Sequence, residues 1–368
     1  TDYMDADDNL DLASNFTMSA WIRPTASGTL LSKSNPGFSQ GYELKLENDF
    51  TLKFEYKGSF DSRSIDSDVV LPHDEWHHVA VSYNGTYLQM YIDGFVAERS
   101  AENFTPENND FSFLIGASGS SKNPSNFFAG HIDEVRVWNT ALSQQQIQYI
   151  MNQEIEQFSD ASVNGKIVPQ DILKNDVRPI PWSSLAGYYP MTRYTYTNVK
   201  DESGYNNTAA IIQLKTVDYQ TAPLPYESRA NGAWTTDATW LNNTVQPLPN
   251  AASLVDPTEK VDWNIVKTNH IITTTDDITL LALFLQSNSI TTGSGYKMDI
   301  SHYLELDGLL DLKGESQLVQ RYNSELKPSS SGYILQRQQG TANKYNYNYW
   351  TSPVNPQNIS ANNTDWSI

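Results

Sequence analysis

The chain has 368 residues, more than one ordinary domain holds, so two or three are expected. Its 43 acidic and 24 basic residues give a net charge of -19, which argues against nucleic acid and against an anionic membrane surface as partners. Hydrophobic residues at 39% and aromatics at 12% are enough for packed cores, and no apolar run reaches membrane-spanning length.

The sequence contains no cysteine, which excludes disulfides and thiolate metal sites. Charged residues total only 18%, and uncharged polar residues fill the gap. This balance is common in β-proteins outside cells, and the lack of cysteine fits a bacterial secreted or surface protein better than a eukaryotic one. Thr1 is not an initiator residue, so a processed chain or a fragment is expected.

Residues 1–157 read as a run of short strands. Phe16–Ile22, Tyr42–Glu47, Thr51–Tyr56, His78–Tyr83 and Tyr87–Ile92 alternate apolar and polar, the signal of half-buried strands. Asn84-Gly85 and Asp93-Gly94 are tight-turn dipeptides. A strand over Gly130–Trp138 follows. Spacing then turns helical over Leu142–Ile150, with Ser143 as N-cap. Many strands, regular turns and one late helix predict a β-sandwich.

Residues 158–228 are punctuated by Pro169, Pro179, Pro181, Pro190, Pro223 and Pro225 and read as a β-rich connector. Residues 229–368 carry short apolar beats: Ile271-Ile272, Ile278–Leu285, Ile290, Met298–Ile300, Leu304–Leu306, Leu309–Leu312 and Leu318-Val319. Gly293, Gly295, Gly308 and Gly314 lie between them. Such beats predict coils of a β-solenoid, each burying its face on the next. The tail Tyr345–Trp350 is polar and aromatic, and the absence of a capping pattern suggests a piece of something longer. The fold class expected is therefore all-β throughout. Residues 1–155 carry -13 of the net charge.

Four stretches of the first domain resemble the laminin-G-like branch of the concanavalin A-type jelly rolls. They are Asn15–Ile22, Glu75–Val81, Leu88–Gly94 and Gly130–Trp138, completed by Ala141-Leu142-Ser143 and its helix. A weaker echo lies at Leu185–Tyr189 and Asp201–Gly204, where the rest of a second module does not follow. The third region, with Gly232-Ala233-Trp234, Thr239-Trp240 and Tyr349–Val354, resembles large multidomain surface proteins of gliding, Bacteroidetes-type bacteria. That resemblance implies an outer-surface or extracellular location and export by the type IX secretion route. The first implies a binding or adhesive module, often with calcium, and names no ligand.

Asp133 is the candidate metal ligand. In the strand Gly130–Trp138, residues 131, 133, 135 and 137 share a face, and Val135 and Val137 mark that face as buried. Glu134 and Arg136 would then point to solvent. A buried carboxylate needs a partner. The resemblance implies a structural calcium with backbone carbonyls completing the shell; backbone N–H groups or an Arg are the alternative.

The cluster Asp2, Asp5, Asp7, Asp8 and Asp11 lacks the glycine and terminal Glu of a calcium loop and reads as a solvated acidic loop. Glu43 and Glu47 share a strand face, as the paired carboxylates of glucanases do. Lys45 stands where those motifs carry an Asp, and would lower both pKa values, which is wrong for a general acid. His77 and His78 face opposite ways and cannot chelate one ion. Trp21, Trp76 and Trp138 are expected to pack the sandwich. Phe38, Phe60, Phe127 and Phe128 fall in loops, where they either stack on sugars or cover loop cores.

The expectation is a non-catalytic surface or secreted adhesion protein that binds a glycan or a protein, with a structural calcium and neighbouring domains in a longer chain or surface assembly. A structural stalk, or the carbohydrate-binding part of a hydrolase, are the rival readings.

Overall fold

The computed structural model describes residues 2–169, 179–192, 195–213, 218–322, 324–328 and 330–336. The aromatic tail Tyr345–Trp350 and the segment Tyr349–Val354 lie outside them. Among the described residues, no helix is long and apolar enough to cross a membrane.

Two antiparallel sheets form the N-terminal jelly roll. The larger has eight strands, in the order Asn198–Val199, Ala209–Ile212, Tyr3–Asp5, Phe113–Ile115, Gly28–Ser34, Gly41–Leu46, Thr51–Lys57 and Ser62–Val70. The other has six, in the order Leu185–Tyr189, Ala129–Trp138, Phe16–Ala26, His77–Tyr83, Tyr87–Ile92 and Phe95–Ala101. Alternation decides what lies between them. Met18, Ala20 and Ile22 face Leu44, Phe54 and Tyr56 in a single core, as period-two strands require.

The connector does not merely link. Its strand Leu185–Tyr189 pairs with Ala129–Trp138, and Ala209–Ile212 pairs with Tyr3–Asp5. The echo at Leu185–Tyr189 is thus an edge strand of the first sandwich. The helix Gln144–Ile150 is capped by Ser143, whose Oγ accepts from the Gln146 N–H while Gln146 Oε1 accepts from the Ser143 N–H.

The described residues between Tyr226 and Gln336 form a β-solenoid of about four turns. One parallel sheet runs Tyr226–Glu227, Ile265–Thr268, Ile278–Leu285, Lys297–Leu306, Gln317–Gln320; the other runs Gly232–Ala233, Ile272–Thr274, Ser289–Thr292, Leu309–Leu312, Tyr333–Gln336. Ile272, Ile290 and Leu310 stack in register across three turns, so each turn covers the apolar face of the last.

The two domains share a core. Leu281, Phe284 and Tyr303 on the outside of the solenoid pack with Ala80, Tyr91, Trp138 and the helix on the outside of the six-stranded sheet. Trp21 and Trp76 join a smaller cluster there with Met151 and Ala222. The three tryptophans expected inside the sandwich therefore lie on its outer face. Two of the three indole N–H groups find partners on that face, Trp21 donating to the Met151 carbonyl (2.7 Å) and Trp76 to Thr221 Oγ1 (2.8 Å), while that of Trp138 is buried without a hydrogen-bond partner among the described residues.

Candidate functional site

A β-bulge sets the geometry around Asp133. Glu134 has φ +52°, and the register against Phe16–Ala26 shifts between Asp133 and Arg136. One extra residue flips the alternation. Ile132, Val135 and Val137 face the sandwich core, while Asp133 sits opposite Trp21 on the outer face. The expectation that Asp133 shares a face with Val135 and Val137 is corrected by this bulge.

Glu134 and Arg136 do not reach solvent either, since each is 1% exposed. Arg136 Nη2 pairs with Glu134, and the Tyr188 hydroxyl donates to the same carboxylate at 3.1 Å. Arg136 also donates to the carbonyls of Ile150 (2.8 Å) and Gln153 (2.7 Å). The helix end and the connector cover this face, which strand periodicity alone does not reveal.

Asp133 is buried and held by N–H donors. One oxygen accepts from the Glu134 backbone and the other from Gln220 Nε2, whose Oε1 accepts from the Ala222 N–H. Burial, reinforced by the Glu134 charge, pushes the Asp133 carboxyl well above the usual carboxylate range. Calcium takes six to eight oxygen ligands. The N–H partners of Asp133 do not fit that shell, and among the described residues no three His, Cys, Asp or Glu side chains gather to hold a metal.

Asp133 lines a pocket of about 320 Å³ between the sandwich and the connector. Trp76, Phe128 and Ile132 form apolar wall. His131 Nε2 lies 2.6 Å from Asp218 Oδ2, and the Trp76 ring lies 6.2 Å from the His131 ring. Tyr219, 95% exposed, stands beside Asp218 and Gln220. Sequence reading missed Asp218, Tyr219 and Gln220, because only the fold brings the connector against His131 and Asp133. Their one signal is a polar-aromatic triplet beside a proline-rich run.

The other candidates fall elsewhere. Asp8 and Asp11 are not simply solvated: both pair with the fully buried Lys33, at 2.6 and 3.2 Å. Glu43 is 2% exposed and does not face water, since Ser34 and Ser118 both donate to it. Burial raises its pKa despite those two hydrogen bonds and Lys45. Lys45 instead bridges Glu47 and Glu55 at 3.0 and 2.7 Å. His77 sits between Asp93 (2.7 Å) and Glu75 (3.0 Å), whereas His78 stacks edge-on against Trp21. Of the loop phenylalanines, Phe128 is core, Phe127 packs on Tyr3, Phe38 lies under Lys57, and Phe60 is fully exposed.

Residues 1–148 match the laminin-G-type family described as the concanavalin A-like lectin/glucanases superfamily. Solved structures share parts of the architecture. A candidate carbohydrate binding protein from Bacteroides ovatus is 19% identical with a TM-score of 0.42, over 57% of this chain and 56% of that one. The Ruminococcus gnavus sialidase module CBM40, solved with α2,3-sialyllactose, is 15% identical with a TM-score of 0.34, over 36% and 80%. Mouse laminin α1 domains LG4-5 are 16% identical with a TM-score of 0.31, over 39% and 43%. No curated protein matches the chain.

Proposed function

We propose that this chain, whose residues 1–148 form a domain of the concanavalin A-like lectin/glucanase superfamily, is a non-catalytic glycan-binding protein of a bacterial surface, serving adhesion. The observation that carries the reading is the pocket beside His131. An exposed aromatic ring, Tyr219, stands next to the polar groups of Asp218, His131 and Gln220, with Trp76 and Phe128 behind them. Sugars ask for this combination: a ring face for their C–H surface and a few fixed polar groups for their hydroxyls.

A glycan-array screen followed by calorimetric titration of the best hit tests it. Tyr219→Ala should weaken binding by about tenfold, the size of one lost stacking contact. Unchanged affinity in that variant would move the site elsewhere. Calcium is a separate matter. The N–H partners of Asp133 predict that neither calcium nor a chelator moves the Tm. A calcium-dependent rise that disappears in Asp133→Ala would restore the metal reading.

The stalk reading has one observation in its favour. The shared core between sandwich and solenoid makes a stiff two-domain unit, as a spacer needs. A glycan array without hits would favour it.

A further inference from the structure

One wall of the pocket beside His131 is a short turn of the connector, residues 218–220. At its centre the Tyr219 side chain is 95% exposed. A free turn would let such a ring fold back onto apolar surface, because apolar area in water is unfavourable. The contacts on either side of Tyr219 therefore decide where the ring stands.

Asp218 meets His131 Nε2 at 2.6 Å, but the two side chains are open to water, 64% and 34% exposed, and such a pair adds little. Farther along, Trp76 Nε1 donates to Thr221 Oγ1 at 2.8 Å, and Asn152 Nδ2 donates to the Pro223 carbonyl at 3.0 Å. Gln220 is the most constrained. Its Nε2 donates to Asp133, which is 4% exposed, and its Oε1 accepts from the Ala222 N–H at 2.8 Å. Both ends of the amide are fixed, one by the sandwich and one by the turn's own backbone, and the backbone beside Tyr219 is fixed with them.

This anchor is an expensive one. A buried carboxylate is destabilising unless hydrogen bonds or a cation meet it. Arg136 is committed to Glu134 and to the carbonyls of Ile150 and Gln153. Among the described residues, the hydrogen-bond partners of the two Asp133 oxygens are the Glu134 N–H and Gln220. Apolar packing would hold the connector here at lower cost, since Trp21, Trp76 and Met151 already cluster with Ala222. What a carboxylate–amide bond adds is direction, because it weakens steeply when misaligned. Ligand-facing groups fixed in advance lower the entropy cost of binding.

We propose that Asp133 is a positioning residue for this pocket: through Gln220 it fixes the turn that presents Tyr219 and Asp218 to a sugar. This role deepens the glycan reading above and rests on it.

Asp133→Leu combined with Gln220→Leu removes both polar partners at once, which leaves neither of them buried and unmet. Two measurements on the full chain read the result. Hydrogen exchange of the peptide spanning residues 218–224, taken without ligand, should quicken about tenfold in the double variant, because the Ala222 N–H loses its acceptor. Titration with the glycan that binds best on the array should show about tenfold weaker affinity. The loss should lie in the entropy of binding, with the Tm near that of the wild type; a merely structural role would lower the Tm and leave the entropy alone. In a Tyr219→Ala background the same pair of changes should weaken binding little further, since they act through Tyr219. If the double variant does not fold, Gln220→Ala carries the same test, at an exposed position where water can reach Asp133. Exchange as slow as in the wild type, or undiminished glycan affinity, would overturn the proposal. A wild type that binds no glycan would overturn both readings. Binding that Tyr219→Ala weakens and the Asp133 and Gln220 changes do not would overturn this one alone.

Discussion

His77 and His78 are neighbours on one strand, yet their surroundings push them in opposite directions. Burial works against a charged His77, but Asp93 and Glu75 overcome it and hold its pKa up at about 9. Burial first, and Arg136 second, push His78 down to about 3. An unfolded histidine titrates near 6.5. The His77 contribution is therefore complete below about pH 6.5 and is lost as pH climbs through 9. It is on the order of 3 kcal/mol. Stability measured by denaturant unfolding should fall across that window, and His77→Gln should flatten the fall. An equal slope in the variant would assign the alkaline loss to other groups. A second test concerns Arg136. Arg136→Met leaves Glu134 buried without its cation and should cost about 3 to 5 kcal/mol. Adding Glu134→Gln should recover part of that loss, a coupling that a double-mutant cycle measures.

Elements were legible in the sequence where alternation is unbroken. The strands Thr51–Lys57 and Tyr87–Ile92 appear where period two places them, because each residue's face follows from its parity alone. The helix was legible from its cap, and that cap is formed. Ser143→Ala should cost about 1 kcal/mol by chemical denaturation, and no loss would mean that packing alone holds the helix. The Gly130–Trp138 stretch was legible as a strand but not as a bulged one. Nothing in Asp133-Glu134-Val135 announces the φ of +52° at Glu134, so extrapolated parity put Asp133 on the wrong face. Burial of Glu43 was hidden for another reason. Its cover comes from Ser118, far away in sequence, and long-range covering leaves no local periodicity. The candidate pocket was half legible on the same grounds: Asp133 stood out as a buried carboxylate, while its partner Gln220 arrives from the connector.

At the scale of the molecule, the sandwich is finished by residues that follow it at a distance. Removing Leu185–Tyr189 and Ala209–Ile212 would bare the edges of Ala129–Trp138 and Tyr3–Asp5, and open edges are both unstable and sticky. The solenoid adds a further layer, since Leu281, Phe284 and Tyr303 cover Tyr91 and Trp138. Apolar surface of this kind is stabilising only while it stays covered. Three chains therefore fall in a predicted order of Tm: residues 1–157 lowest, residues 1–228 higher, the full chain highest. Calorimetry should record one cooperative transition for the full chain, because a shared core couples the unfolding of its two sides. Two separate transitions, or a fragment of residues 1–157 as stable as the longer chains, would show the interface to be a loose contact.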